Sequence, residues 1–407
     1  MIYFIIIITL LILSYKYDYL RRTDGRNLWF WIMMTVLICV AGLRYKLGQD
    51  TTVYIKFFEH LHPINELTEA DINDSRFSPG FIILCSFFRM FGSDFTVFQL
   101  FHSIVVTSVF LLFIRKHTRH VFFAILLFFF YLYFNLLFQQ LRESLAASVF
   151  LLAWPSFANK KWIVWYISCF VALLFHVSSV FMLLLPIIYV PGIRSLFVFG
   201  KRTFIMTLAI LAGGFIIQSV FFKYIELIAF TESMMERATT YSNSDLSTAG
   251  FSITGMIGKC IQWIVFPLIA MYFLFRKRME GHHSSDDYKL IEKMAIMSVY
   301  VSSIAISIPI LGRYNNYFYV FSILILSDWV YSIIYLMHRK LRLHYLYWLF
   351  LFTPMLGMQL YNNFFIPINK AGNLHMYMVY YPYSSFFDQT EDNERERTIK
   401  YLIRHVR

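Results

Sequence analysis

The stretch that decides the fold covers residues 121–155 and reads VFFAILLFFFYLYFNLLFQQLRESLAASVFLLAWP. Its apolar residues run continuously, without the period-two alternation typical of a membrane β-barrel. A helix needs about 20 apolar residues to cross the hydrocarbon core of a bilayer. The stretch therefore predicts membrane-spanning helices, interrupted at its middle by a polar hexad at residues 139–144.

The rest of the chain has the composition of an all-α polytopic integral membrane protein. Of 407 residues, 58% are hydrophobic and only 15% are charged, whereas a soluble chain carries about a quarter charged residues. The net charge of +12 does not indicate nucleic-acid binding, because the basic residues cluster between apolar runs as in cytoplasmic loops. We expect the lipid bilayer as a partner and no nucleic acid. The four cysteines lie in or beside apolar runs and predict no disulfide or metal site.

The basic clusters predict a topology of about twelve transmembrane helices with both termini outside. The basic segment 16–26 separates a first span at about 1–15 from a second at about 27–43. Residues 79–92 are too short to cross comfortably and predict a half-buried or re-entrant helix on the outer face. Later spans are expected at about 95–114, 203–222, 254–275, 294–311, 315–337 and 343–361.

Two apolar stretches must each cross twice if the basic loops on both sides are cytoplasmic. Residues 121–155 then turn outside at the polar hexad, and residues 161–190 turn outside at His176. A single tilted span over 161–190 is the alternative, and it would invert everything downstream. The split version predicts a single membrane domain over 1–407, with outer loops at about 44–78 and 223–253 and an outer polar-aromatic tail at about 362–407.

Five ionisable residues collect on the outer side of this topology: Arg44, Asp50, Arg142, His176 and Arg313. Ionisable groups at membrane depth are costly and mark substrate or ion paths. Three arginines on one face indicate an anion, because guanidinium groups match phosphate oxygens geometrically. A lipid-linked diphosphate is the anion expected at that depth.

Each of these residues has a structural alternative. Arg44 and Arg313 could anchor helix ends at the headgroup level. His176 is the best general-base candidate, yet it could also be a packing histidine. Asp50 could pair with an arginine or cap a helix.

The motifs of several enzyme classes are absent from the sequence. There is no Walker A loop, GxGxxG, HExxH or GxSxG motif, and the outer loops lack a DxD pair that would hold a divalent metal. The sequence therefore predicts no cofactor and metal-independent chemistry, in which arginines neutralise a leaving group.

Five motifs together resemble the EpsG-type branch of the Wzy polysaccharide polymerases: GLRYKLGQDTTVY from residue 42, QQLRESLA from 139, FHVSS from 175, GRYNNYF from 312 and YYPYSSFF from 380. The resemblance implies a glycosyltransferase of GT-C-like architecture, retaining or inverting. Such proteins join undecaprenyl-diphosphate-linked oligosaccharide repeat units at the outer face of the bacterial cytoplasmic membrane.

Carried over to this chain, the resemblance implies a catalytic role for His176 and Asp50. It implies substrate binding by a second group: Arg44, Tyr54, Arg142, Arg313 and Tyr314. A chain-length regulator is a candidate partner. Two other classes compete with the polymerase: a flippase for the same lipid-linked units, and a membrane O-acyltransferase that decorates a polysaccharide.

Overall fold

The computed structural model describes residues 2–73, 77–92, 94–224, 253–279, 286–338, 356–361, 365, 367–368 and 372–405. The regular structure of these residues is helical, apart from two isolated β-bridges, Arg44–Ser385 and Pro367–His375. The chain forms two compact units. The first comprises Met1–Val190 and Val379–Asp392, and the second comprises Pro191–Met378 and Asn393–Arg407.

The described residues of the first unit form ten α-helices: α1 Ile2–Leu13, α2 Arg26–Gly42, α3 Thr51–His60, α4 Glu69–Asn73, α5 Pro79–Arg89, α6 Phe95–His117, α7 Val121–Phe128, α8 Leu141–Ala158, α9 Trp162–Phe175 and α10 Phe181–Leu184. Helix α1 continues as a π-helix over Ser14–Tyr19, and α7 continues through two π-helical segments, Phe129–Tyr133 and Asn135–Gln139.

The part of the second unit that the structure describes includes seven α-helices with both ends placed: α11 Pro191–Arg194, α12 Lys201–Tyr224, α13 Ile253–Cys260, α14 Phe266–Met279, α15 Asp286–Ser307, α16 Asn315–His338 and α17 Asn393–His405. A π-helical segment, Ile261–Val265, joins α13 to α14. A 3-10 helix, Pro309–Tyr314, leads into α16.

Helix α7 and its continuation form the core of the first unit. Every residue from Val121 to Phe134 is buried, which explains why the sequence shows no polar face over this stretch. A helix that is apolar on all sides is one surrounded by protein or lipid. Helix α2 packs closely beside α6, since a Cβ on Gly42 would lie 2.7 Å from the Leu100 side chain.

Six helical segments of the described residues are long and apolar enough to cross a membrane: Ile2–Tyr19, Phe95–His117, Lys201–Gln218, Met256–Arg276, Asp286–Ser307 and Leu311–Ile334. Several other expected spans coincide with shorter apolar helices: Arg26–Gly42, Val121–Tyr133 and Trp162–Phe175. Most of the expected span 343–361 and nearly all of the outer loop 223–253 lie outside the described residues. The count of about twelve stays a prediction.

The chain reverses at His176, as the split interpretation of residues 161–190 predicts. Helix α9 ends at Phe175, and His176 is extended. The segment that follows returns along α9, because the Trp165 indole donates a hydrogen bond to the Met182 carbonyl at 3.2 Å. The rings of Trp162 and Tyr189 meet at the other end of this hairpin, 5.7 Å apart.

Two helix boundaries differ from the sequence predictions. The first helical segment continues to Tyr19 instead of ending near residue 15, because Tyr17 packs on Phe122 and Asp18 accepts a hydrogen bond from the Phe123 amide. Helix α15 begins at Asp286 rather than near residue 294. Acidic residues in a first turn interact favourably with the helix dipole, which explains this earlier start.

The predicted outer loop 44–78 is largely structured. It contains α3 and α4. His62, in the segment between these two helices, pairs with Asp71 on α4, with 2.9 Å between His62 Nδ1 and Asp71 Oδ1. Ser86 on α5 donates a hydrogen bond to the His62 carbonyl at 2.6 Å. The expected short helix near residues 79–92 is present as α5, which begins with Pro79 at its first position.

Candidate functional site

The polar hexad lies at a break between two helices. The π-helical continuation of α7 ends at Gln139, Gln140 leaves helical geometry, and α8 begins at Leu141. The hexad is not uniformly exposed, because Glu143 and Ser144 are buried while Arg142 is half-buried. The break therefore presents Arg142 from the first turn of α8 and anchors the residues that follow inside the unit.

Arg142 is joined to the first motif through an aromatic ring. Its guanidinium carbon lies 4.7 Å from the centre of the Phe77 ring. Phe77 in turn contacts Tyr54 on α3, with ring centres 5.7 Å apart. Tyr54 is buried, so its ring supports Phe77 from the interior of the unit. The structure thus brings two predicted substrate-binding residues, Arg142 and Tyr54, into contact with the same ring, Phe77.

The first motif is fixed against the carbonyl end of the broken helix. Gly48 has a φ of +106°, and a Cβ there would lie 2.2 Å from the Phe138 carbonyl oxygen. Thr51 donates a hydrogen bond to the Leu47 carbonyl at 2.6 Å, and its hydroxyl lies 3.3 Å from the Phe138 carbonyl. Only glycine fits this position, and the close approach places Asp50 beside the helix break.

Asp50 is the residue before α3, and its side chain makes no capping hydrogen bond to that helix. The capping alternative for Asp50 is therefore wrong. Burial raises the pKa of Tyr380, and the charge of the half-buried Asp50 raises that pKa further. The Asp50 carboxyl thus acts electrostatically on the tyrosine that binds Gln139.

Arg44 lies inside the unit rather than at its surface. The residue is 2% exposed, donates from Nε to the Leu47 carbonyl at 3.2 Å and from Nη1 to the Ala41 carbonyl, and stacks 4.7 Å above Phe138. Burial lowers the pKa of Arg44 to about 10, so the guanidinium stays charged at neutral pH. Its Nη2 has no hydrogen-bond partner among the described residues.

The surroundings of Arg44 assign it a positioning role. Four tyrosines lie around the guanidinium: Tyr3, Tyr133, Tyr380 and Tyr383. The two carbonyls that it binds belong to Ala41 and Leu47, three residues before and three residues after it. The guanidinium therefore stabilises the loop in which it lies. The idea that Arg44 is a headgroup anchor is wrong, because the side chain is enclosed by protein. Direct contact with a substrate diphosphate stays a prediction for this residue.

Polar residues on one face of α6 form hydrogen bonds with the first motif and with the start of α8. This role was not predicted from the sequence. Gln99 donates hydrogen bonds to the carbonyls of Gly42 and Arg44, at 2.9 and 2.8 Å. His102 Nε2 lies 2.7 Å from the Ser144 hydroxyl and 3.1 Å from the Leu141 carbonyl. The spacing of Gln99, His102 and Ser103 on one face of an apolar helix was the available signal.

The C-terminal tail supplies a second missed component. Residues 379–392 pair with the first motif through three backbone hydrogen bonds: Tyr45 N–H to Ser384 O at 2.9 Å, Phe386 N–H to Leu43 O at 2.8 Å and Gly48 N–H to Val379 O at 3.3 Å. The Tyr380 hydroxyl accepts a hydrogen bond from the Gln139 amide. Tyr380 is buried, and this tyrosine ties the tail to the helix break.

His176 lies at the neighbouring chain reversal, where its ring caps the short helix that follows. Nδ1 accepts a hydrogen bond from the Ser178 amide at 3.1 Å, and the Ser178 hydroxyl lies 2.7 Å from the same nitrogen. A neutral imidazole that accepts at Nδ1 carries its proton on Nε2. The basic lone pair of His176 is therefore engaged locally, which favours the packing alternative over a general base.

The hairpin turn lies close to α5. A Cβ on Gly80 would lie 2.8 Å from the Leu174 carbonyl oxygen, so glycine permits the start of α5 to pack against the end of α9. Phe77, which contacts Arg142, lies three residues before Gly80. The two chain breaks, at Gln140 and at His176, are thus connected through one short segment.

Arg313 and Tyr314 belong to the second unit. They form the end of the 3-10 helix before α16 and are both half-buried. Asn315, the next residue, accepts a hydrogen bond from the Ser302 hydroxyl at 3.0 Å, which ties this turn to α15.

A chain with six apolar helices of spanning length and a polar group built at a helix break is a multi-pass membrane protein. The chain belongs to the EpsG family, whose model matches residues 27–385. No curated protein sequence and no solved structure matches the chain. The matched residues include the first motif, Phe77, the Gln140 break and Tyr380.

Proposed function

We propose that the protein is a polysaccharide polymerase that joins undecaprenyl-diphosphate-linked oligosaccharide repeat units at the outer face of the bacterial cytoplasmic membrane. EpsG family membership supports a polymerase-like role. The observation that carries the proposal is the group at the Gln140 break, where Arg142 and Tyr54 both contact Phe77 and where Thr51, the residue after Asp50, lies 3.3 Å from the Phe138 carbonyl.

In the proposed reaction, an acceptor sugar hydroxyl attacks the anomeric carbon of the donor saccharide. The bond from that carbon to the phosphate oxygen breaks, and undecaprenyl diphosphate leaves. Arg142 binds the diphosphate and stabilises the negative charge that develops on it, and Arg313 and Tyr314 stay proposed substrate-binding residues. Charge stabilisation by arginines replaces a divalent metal in this proposal.

Asp50 is the proposed acceptor of the hydroxyl proton. Its carboxyl group is half-buried and makes no helix-capping bond, whereas His176 Nδ1 already accepts from Ser178. A half-buried carboxylate can take up a proton as the glycosidic bond forms. His176, the other base predicted from the sequence, holds the neighbouring turn in this mechanism.

The proposed architecture is GT-C-like, with about twelve spans. The lipid-linked donor enters from the bilayer and the growing glycan lies on the outer side. A chain-length regulator is a proposed partner.

Purified protein and a synthetic lipid-linked repeat unit test this proposal. We expect a ladder of lipid-linked products, with one undecaprenyl diphosphate released for each bond formed. A flippase would move the unit across vesicles without extending it, and an acyltransferase would modify the unit only when an acyl donor is added. Either result, without a ladder, would overturn the polymerase assignment.

A further inference from the structure

Seven basic side chains converge at one end of the first unit, in two segments that lie far apart in the sequence. One segment is the α1–α2 loop with the helical residues on either side of it, and the other is the last turn of α6 with the loop to α7. We call the group the basic surface: Lys16, Arg21, Arg22, Arg26, Arg115, Lys116 and Arg119. Five of these side chains are exposed, and Lys16 and Arg26 are half-buried.

Direct contacts hold the two segments together. Arg26 donates a hydrogen bond from Nη2 to the Arg119 carbonyl at 2.5 Å. Arg115 stacks on the first turn of α2, with its guanidinium carbon 4.7 Å from the Phe30 ring and 5.7 Å from the Trp31 ring. The basic surface is therefore a fixed arrangement of the folded unit.

The basic surface has little internal charge compensation. Asp18 is buried, accepts the Phe123 amide at 2.9 Å and lies 3.7 Å from Arg26 Nη2. Asp24 is the other acidic residue in these segments. The side chains of Arg22, Lys116 and Arg119 make no ion pair or hydrogen bond with the residues that the structure describes. Three exposed cations are thus left to meet an external anion.

The surroundings of the basic surface indicate the depth at which that anion lies. Arg115 and Lys116 occupy the last turn of α6, a helix of membrane-spanning length. Leu28, Trp29 and Trp31 are exposed on the first turns of α2 beside them. Exposed tryptophans next to arginines and lysines at a span end are typical of the headgroup level of a bilayer.

We propose that the basic surface binds the headgroups of anionic phospholipids. Arginine side chains match the phosphate oxygens of a headgroup, and a cluster of basic residues at a membrane surface attracts net-negative lipid rather than zwitterionic lipid. Nucleic acid fits less well, because the exposed indoles and Leu28 flank the cations with apolar surface. This inference is independent of the catalytic proposal.

Spin-labelled lipids test the proposal with the full-length protein. The protein is reconstituted in phosphatidylcholine vesicles, and the association of labelled phosphatidylglycerol is compared with that of labelled phosphatidylcholine. We expect selectivity for phosphatidylglycerol in the wild type. The double substitution Arg22→Gln with Arg119→Gln is expected to reduce this selectivity by roughly fivefold or more, the effect of losing at least one charge near an anionic surface.

The matched control is Lys160→Gln with Lys161→Gln, which removes two exposed cations from another loop. Retained selectivity in this control, with loss in the Arg22/Arg119 variant, would support the basic surface as the site. Equal loss in both variants, or in neither, would overturn the proposal. Selectivity absent in the wild type, with salt-sensitive binding of polyglutamate to the same residues, would assign the surface to an acidic protein instead.

Discussion

At the residue scale, the predicted site residues differ in burial and position. Arg44 is buried and binds the carbonyls of its own loop, and His176 is buried and accepts from Ser178. Arg142 and Asp50 are half-buried and lie at the helix break. Burial and position, rather than residue type, therefore distinguish positioning residues from proposed catalytic ones.

His176 offers a direct test of capping against base catalysis. We expect His176→Ala to lower the free energy of unfolding by about 0.5–2 kcal/mol through loss of the cap. His176→Asn should restore stability and near-normal turnover, because asparagine can accept from the Ser178 amide but is no base. Melting and single-turnover extension are measured on both variants. Loss of turnover in a stable His176→Asn variant would instead return the base to His176.

Gly48 tests the close approach of the first motif to the helix break. Gly48→Ala is expected to lower the melting temperature and the activity, because its Cβ would clash with the Phe138 carbonyl and its φ is positive. Gly92→Ala is the control, since Gly92 also has a positive φ but has no atom within 4 Å of the added Cβ. Equal melting temperatures for the two variants would contradict a specific contact at Gly48.

At the element scale, the site depends on the meeting of three segments that the sequence keeps apart. The first motif, the end of the α7 continuation and residues 379–392 are held together by backbone hydrogen bonds and by Tyr380. Buried hydrogen bonds of this kind resist exchange of their partners for water, since an unmade buried bond costs about 1–3 kcal/mol. The tail is therefore an integral component of the site.

Tyr380 tests that role of the tail. Tyr380→Phe removes the hydroxyl that accepts from Gln139 and keeps the ring that packs on Phe134 and Phe138. We expect a loss of about 1 kcal/mol in the free energy of unfolding and reduced turnover. Tyr381→Phe is the matched control, because Tyr381 is 47% exposed. Thermal melting and extension assays that do not distinguish the two variants would rule out this role.

The sequence predicted where the helices break better than it predicted which side chains pack and bond at the breaks. Polar residues inside an apolar run predicted the break near Gln140, and the basic loops predicted the reversal at His176. The burial of Arg44 could not be predicted, because its two carbonyl partners are made available only by the turn of its own loop. The polar residues of α6 were visible in the sequence, but their partners, Gly42 and Ser144, lie 57 and 42 residues away from Gln99 and His102.

At the scale of the whole molecule, the proposed polymerase function requires a multi-pass helical protein with its polar group on the outer side of the membrane. Six described helices meet the length and hydropathy requirements for spanning, and the EpsG family model matches most of the chain. The side of the membrane follows only from the placement of basic loops. Orientation is therefore the first property of the whole chain to measure.

Two exposed positions on opposite ends of α9 report the orientation. Val177 is 66% exposed beside the turn, and Lys160 is exposed before the helix begins. In a variant without the four native cysteines, an impermeant thiol reagent should label Val177→Cys in intact cells. Lys160→Cys should react only after the membrane is broken. The opposite pattern would place the helix break on the cytoplasmic side.

The extension assay on Arg142→Lys tests the central claim most directly. Lysine keeps the charge but loses the fork that binds two phosphate oxygens, so we expect single-turnover extension of a lipid-linked repeat unit to be abolished while the protein still inserts and melts normally. Arg89→Lys is the matched control, because Arg89 also lies over an aromatic ring, Phe58, at 5.9 Å but away from the helix break. Loss in Arg142→Lys alone is the predicted result. Normal extension by Arg142→Lys would contradict the account.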